Sequence, residues 1–199
     1  MRSKGTLALV ALLLIVGFAG CGAASSYNSL VAQEERVATA WANVQTQYQR
    51  RADLIPNLVS TVQGAADFEQ ETLQQVTEAR ARATSVQIDA SDLDDAQKIQ
   101  EFQAAQSALS QSLGRLLAVS ENYPQLRATQ AFRDLQAQLE GTENRITVAR
   151  RDYNEVVRQY NTEIRSFPTN MLAGVFGFDR RTPFEAEAGA QDAPTVEFD

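Results

Sequence analysis

Phe132-Arg-Asp-Leu-Gln-Ala-Gln-Leu-Glu-Gly-Thr-Glu-Asn-Arg-Ile-Thr-Val-Ala-Arg-Arg-Asp-Tyr-Asn-Glu-Val-Val-Arg-Gln-Tyr160 is the stretch on which the fold turns. Phe132, Leu135, Leu139, Thr142, Ile146, Ala149, Tyr153, Val156 and Tyr160 recur at strict three-four spacing, with charged and amide residues between them. That spacing draws one stripe along a helix, and a 3.5-residue repeat keeps the stripe facing its neighbours in a left-handed supercoil.

Working towards the N-terminus, Ile99, Phe102, Gln106, Leu109, Leu113, Leu116, Ser120 and Tyr123 repeat the pattern with two polar members. Leu58, Val62, Ala66, Leu73 and Val76 form a less regular stripe, and Leu30, Val37, Trp41, Val44 and Tyr48 a clear one. The intervening residues are mostly Ala, Gln, Glu, Leu and Arg, which lose little side-chain freedom in a helix. No segment alternates with period two, so strands are not expected. The expectation is an all-α chain: an antiparallel up-down four-helix bundle over 25–168.

Punctuation places its helices at about 26–52, 56–86, 92–121 and 125–166. Pro56 biases residue 55 away from helical geometry, giving either a turn near 51–56 or a kink in one continuous helix. Asp89-Ala-Ser-Asp-Leu-Asp-Asp95 reads as a loop, with Ser91 capping the next helix and Asp94 and Asp95 near its positive end. Tyr123-Pro124 makes a short turn, and Phe167-Pro168 ends the last helix.

The two ends differ from this body. Arg2 and Lys4 precede an apolar run, and no charge appears between Lys4 and Glu34. Residues 1–20 read as a signal peptide or membrane anchor, with an apolar character that extends to 24. Ala19-Gly20-Cys21 is similar to a bacterial lipoprotein box, which makes Cys21 a candidate lipidation site. The basic start places the bulk outside the cytoplasm. At the other end, residues 169–181 are an apolar segment, with Met171, Leu172, Val175, Phe176 and Phe178 expected to plug one bundle end or, as the alternative, to form a partner or membrane-surface patch. Residues 182–199 hold acidic but no basic side chains and read as a mobile tail.

Composition removes whole classes of chemistry. Among 199 residues there is no histidine and a single cysteine, so Ser-His-Asp triads and Cys/His zinc sites are excluded. A formal charge of −7 argues against nucleic acid. It becomes −9 when Arg2 and Lys4 leave with residues 1–20, so the body has no electrostatic attraction to anionic lipid. The acidic run from Asp89 fails as a calcium loop, having Asp94 where glycine and Gln100 where glutamate is needed. No metal, cofactor or catalytic residue is expected. Arg50, Arg51, Asp53 and Pro56 form a turn corner, solvated or partner-facing. Tyr27-Asn28 and Tyr153-Asn154 repeat a dipeptide in which a buried tyrosine hydroxyl would find its partner in the neighbouring amide.

These residues also carry a resemblance. Tyr27-Asn28-x-Leu30-Val31, Glu35-x-Val37-x-x-Ala40-Trp41-x-x-Val44 and Gln49-Arg50-Arg51-x-Asp53-Leu54-Ile55-Pro56-Asn57-Leu58-Val59 are similar to the LemA family signature. So are Tyr123-Pro124-x-Leu126, Thr142-Glu143-Asn144-x-Ile146, Ala149-Arg150-x-x-Tyr153-Asn154, Phe167-Pro168-x-Asn170, Phe184-Glu-Ala-x-x-Gly189-Ala190 and Pro194-x-Val196-x-Phe198. The resemblance implies a bacterial, membrane-anchored antiparallel helical bundle with no agreed catalytic activity and no established functional residues. The expected function is a non-enzymatic, membrane-tethered protein of the cell envelope that scaffolds or binds another envelope protein. The alternatives are an enzyme or subunit with a carboxylate site, and a structural spacer presenting the acidic tail.

Overall fold

The computed structural model of the chain describes residues 2–64 and 68–185. The regular structure is all-helical, with no strand among the described residues. Its elements are α1 (Arg2–Gln63), α2 (Gln70–Ser85), a 3₁₀ turn (Ala90–Asp92), α3 (Ala96–Ser120), the short α4 (Pro124–Arg127), α5 (Gln130–Glu163) and α6 (Thr169–Phe176).

The apolar leader and the first body helix are one continuous element. At 1.5 Å per residue α1 is about 93 Å long. Leu30, Val37, Trp41, Val44, Tyr48, Ile55, Leu58 and Val62 are buried along it, so one stripe passes straight through Pro56. The turn at 51–56 does not occur. Pro56 lacks the N–H that would bond the carbonyl of Ala52, four residues back. Arg80 on α2 fills that vacancy, its Nε donating to the Ala52 carbonyl at 2.8 Å. The break falls instead after Gln63, at Gly64, and the expected helix 56–86 becomes the end of α1 plus α2. Ala66, expected in that stripe, lies outside the described residues.

Contacts fix the relative directions. α1 packs along α5, with Trp41 against Tyr153 and Arg51 against Glu143, so the two run antiparallel. α2 and α3 are antiparallel as well, through Gln75–Arg115 and Ala83–Gln106. α1 and α3 run in the same direction, with Tyr48 against Phe102 and Arg51 against Gln106.

The buried face of α3 consists of Ile99, Phe102, Gln106, Leu109, Leu113, Leu116 and Ser120, all seven on the stripe read from sequence. On α5 Phe132, Leu139, Thr142, Ile146, Tyr153 and Tyr160 of the stripe are buried, Leu135, Ala149 and Val156 are half-buried, and Val157 is buried beside them. Two caps also differ. Asp95, not Ser91, caps α3 by accepting from Gln97 N and Lys98 N. The expected helix 125–166 is divided into α4 and α5, and Thr129 caps the second by accepting from Phe132 N.

Beyond α5 both expectations change. α6 buries only Thr169 and Ala173, while Met171, Val175 and Phe176 are exposed. Leu172 and Phe178 are half-buried, so the segment only partly plugs the bundle. The chain from 182 to 185 is docked, not mobile: Phe184 is buried in the core. Residues 186–199 of the acidic tail lie outside the described residues.

Candidate functional site

The apolar interior is divided in two. One cluster gathers Leu30 to Tyr48 of α1 with Ile99 and Phe102 of α3 and Ile146 to Ile164. The other gathers Ile55 to Val62 with α2, Leu109 to Leu116 and Phe132 to Leu139. Between them sits a polar layer centred on Arg51, which occupies a stripe position on α1 and is only 2% exposed.

Each contact of Arg51 comes from a different direction. Its Nη1 donates to Ser110 Oγ at 2.7 Å and to Glu143 Oε2 at 2.9 Å. Its Nη2 donates to Gln106 Oε1 at 2.7 Å and to the Gln106 carbonyl at 3.2 Å. The guanidinium also lies over the Tyr48 ring. Gln106 passes the network on, its Nε2 donating to the Ala83 carbonyl at 3.1 Å. A buried cation requires a countercharge and full hydrogen bonding. Glu143, 52% exposed, supplies the charge; Arg51 Nε and Gln103 Nε2 are buried donors without a partner among the described residues.

The polar layer opens to solvent as a groove of about 540 Å³, with Tyr48, Arg51, Gln103, Ser110, Gln111 and Glu143 among its walls. Arg150 and Glu185 line it too, so the docked C-terminal segment forms part of its rim.

That segment is held by a ladder on α5. Asn161 accepts from the backbone N–H of Arg181 at 2.9 Å and donates to the Arg181 carbonyl at 2.8 Å. Asn154 does the same to Phe184, at 2.8 and 2.9 Å. The two asparagines are seven residues apart, about 10.5 Å along the helix. Arg181 to Phe184 is three residues of extended chain, about 10 Å. The match lets the strap run antiparallel to α5 with its backbone satisfied at both rungs. Between them Tyr153 donates its hydroxyl to the Thr182 carbonyl, and Thr182 N–H donates to the Leu93 carbonyl. Phe184 stacks on Trp41 and meets Tyr153 edge-on, with the Arg150 guanidinium over its outer face. An Arg181–Glu34 ion pair ties the strap to α1.

Burial pushes the Tyr160 hydroxyl up to about 12 and raises the Tyr153 hydroxyl well above the ordinary tyrosine range, both opposed by the charge of Arg181. The Tyr160 hydroxyl has no hydrogen-bond partner among the described residues.

The residues singled out from sequence therefore separate. Arg51 leaves the expected corner for the core, whereas Arg50, Asp53 and Pro56 stay at the surface, with Asp53 accepting from Gln49. Tyr153 and Asn154 are in the seam, but they hold the strap rather than each other. Tyr27 is partly exposed and packs edge-on against Phe176 and Phe178, and Asn28 is exposed. Cys21 is exposed on α1. Sequence reasoning missed Arg80 and Arg181 and assigned no role to Asn161 or Phe184. The signal for Arg51 was present, since three-four spacing from Tyr48 to Ile55 lands on it.

Chemically the groove offers amide, hydroxyl and guanidinium donors with a carboxylate. The Ser110 hydroxyl donates to the Gln106 carbonyl at 3.3 Å, so its proton faces no base. No His/Cys/Asp/Glu group that could hold a metal ion occurs among the described residues.

Residues 40–198 match the profile of the LemA family. Magnetosome protein MamQ 2 of Paramagnetospirillum magneticum (strain ATCC 700264 / AMB-1) is 28% identical over 186 residues, covering 85% of this chain and 68% of that protein. Magnetosome protein MamQ of Magnetospirillum gryphiswaldense is 25% identical over the same shares. Protein LemA of Metamycoplasma hominis is 24% identical over 146 residues, covering 73% of this chain and 63% of that one.

Proposed function

The chain belongs to the LemA family, and on that premise we propose that it is a non-enzymatic, membrane-tethered helical-bundle protein of the bacterial cell envelope that binds another envelope protein. The observation that carries this reading is α1. It is the one described helix long and apolar enough to cross a membrane, and it continues unbroken into the core of the body. A rigid link of that kind holds the body at a set distance from the bilayer.

The pairwise directions of α1, α2, α3 and α5 support a closed up-down four-helix arrangement as the rigid body. The tether is the uncleaved run itself or, after cleavage before Cys21, the acyl chains on that cysteine. Fatty-acid labelling abolished by Cys21→Ser supports the second form, and no label supports the first. Arg2 and Lys4 at the start of the run support a body outside the cytoplasm, by the positive-inside rule. The polar groove is the proposed contact surface, because its buried donors are preorganised and partly unpaired.

Cross-linking in intact cells at native expression, followed by affinity capture of the full chain, tests the function. Reproducible recovery of one envelope protein supports it; recovery of no protein partner contradicts it.

A further inference from the structure

α6 is uncharged and mostly apolar, Thr-Asn-Met-Leu-Ala-Gly-Val-Phe over residues 169–176, with its apolar side chains spread beyond a single stripe. A helix of that composition needs cover on more than one side. Thr169 and Ala173, one turn apart, are covered by the body. Met171 and Val175, on the opposite side, are 65% and 78% exposed, with Phe176 at 54% and the preceding Phe167 at 81%.

The place of this face in the fold says what covers it. α6 packs on α1, and its Phe176 meets Tyr27 edge-on with ring centroids 5.0 Å apart. Tyr27 follows the end of the apolar run at Ala24 by less than one helical turn. The uncharged part of α1, from Gly5 to Gln33, is about 43 Å long, which matches a bilayer including its headgroup regions at about 40–45 Å. Glu34 is then the first charged residue of α1 beyond the uncharged run, and Tyr27 lies about 10 Å below it, at headgroup depth. Aromatic side chains concentrate at that depth. Tyr27, Phe167, Phe176 and Phe178 all belong to this corner of the molecule. The segment around α6 is uncharged from Ser166 to Phe178, between Arg165 on one side and the Asp179-Arg180 pair on the other, all exposed.

We infer that α6 and Phe167 form an interfacial membrane-docking element, in which Phe167, Met171, Val175 and Phe176 enter the headgroup and upper acyl region beside the point where α1 leaves the bilayer. The element makes a second contact with the same membrane. One helix alone leaves the body free to swing about its exit point. Two adjoining contacts fix its tilt, and with it the direction in which the groove faces. The net acidity of the body is no obstacle, since burial of apolar surface rather than charge drives this contact.

The inference rests on the membrane tether proposed above. The test uses the full chain with Cys21→Ser, carrying a single nitroxide label at Met171→Cys, Val175→Cys or, as a control at the far end of the body, Arg133→Cys. Each is reconstituted into vesicles of phosphatidylethanolamine and phosphatidylglycerol. The labelled side chains are exposed, so none of these changes is expected to disturb the core. Flotation reports the tether, and power saturation with oxygen against a water-soluble nickel complex reports depth. The expected result is flotation of all three, with oxygen severalfold more accessible than nickel at 171 and 175 and the reverse at 133. Flotation with 171 and 175 as aqueous as 133 overturns the docking alone. Dipolar broadening between labels at 171 or 175, with both reagents excluded, also overturns it, since a second copy then covers the face. Failure to float overturns the docking and the tether together.

Discussion

Arg80→Ala is expected to destabilise the protein, and Pro56→Ala to remove most of that cost. The carbonyl of Ala52 is buried and has lost its helical donor to Pro56, so Arg80 Nε at 2.8 Å takes the donor's place. A hydrogen bond from a charged donor to such a carbonyl contributes about 2 kcal/mol, and its loss leaves the oxygen without a partner. Pro56→Ala restores an N–H directly below Ala52 and removes a residue about 3 kcal/mol worse than alanine inside a helix. Part of that gain is already offset by Arg80, so the single variant should be about 1–2 kcal/mol more stable than the parent. In the Pro56→Ala background the Ala52 carbonyl no longer needs Arg80, and Arg80→Ala should cost about 0.5 kcal/mol, mostly side-chain packing. The cycle therefore predicts a coupling of about 1.5 kcal/mol between residues on different helices. Urea unfolding of the four proteins in mild detergent, followed by far-ultraviolet circular dichroism, measures it. Equal costs of Arg80→Ala in both backgrounds refute the reasoning, as does a Pro56→Ala variant less stable than the parent.

Asn154→Ala should loosen the strap without unfolding the bundle. It removes two hydrogen bonds, about 2 kcal/mol, so the undocked population should rise about thirtyfold. The amide to watch is Thr182, bonded to Leu93 and untouched by the substitution; unchanged exchange there, or equal acceleration in the middle of α5, contradicts local release. Arg51→Met should cost about 1–3 kcal/mol by urea unfolding, because Gln106 and Ser110 lose their donor while half-exposed Glu143 becomes hydrated. A neutral or stabilising result would mean that the polar layer adds no stability over an apolar one. The raised Tyr153 and Tyr160 hydroxyls imply loss of stability in alkali. In the folded state they stay neutral where the unfolded chain ionises, so their contribution is complete below about pH 10 and is lost as pH rises towards about 12. Urea midpoints that stay flat from pH 9 to 11.5 contradict this.

The regular parts of the fold were legible because burial follows spacing. On α3 the three-four rule found every buried residue, including polar Gln106 and Ser120. It failed where a local rule outweighed the stripe. Pro56 carries a strong breaking signal, and only the distant Arg80 neutralises it, a compensation no local window contains. Arg51 was placed at a corner because a charged residue beside a proline reads as exposed, although the stripe passes through it. The strap was missed for a different reason. Residues 181–185 have no periodicity, and their order comes from Asn154 and Asn161, which recognise backbone atoms and so impose little on strap side chains except at Phe184. The repeated Tyr-Asn dipeptide did mark the right helix face, but the wrong bonds were drawn from it.

Three elements make up the proposed arrangement: a stiff helix out of the membrane, a body locked to it by the strap, and a polar groove held at fixed height. Incorporating a photoreactive amino acid at Gln111, exposed on the groove wall, and at Arg133 as a remote control tests that arrangement in intact cells. The account predicts one reproducible adduct with an envelope protein from Gln111 and none from Arg133. No adduct from Gln111, or the same adducts from both positions, would contradict it.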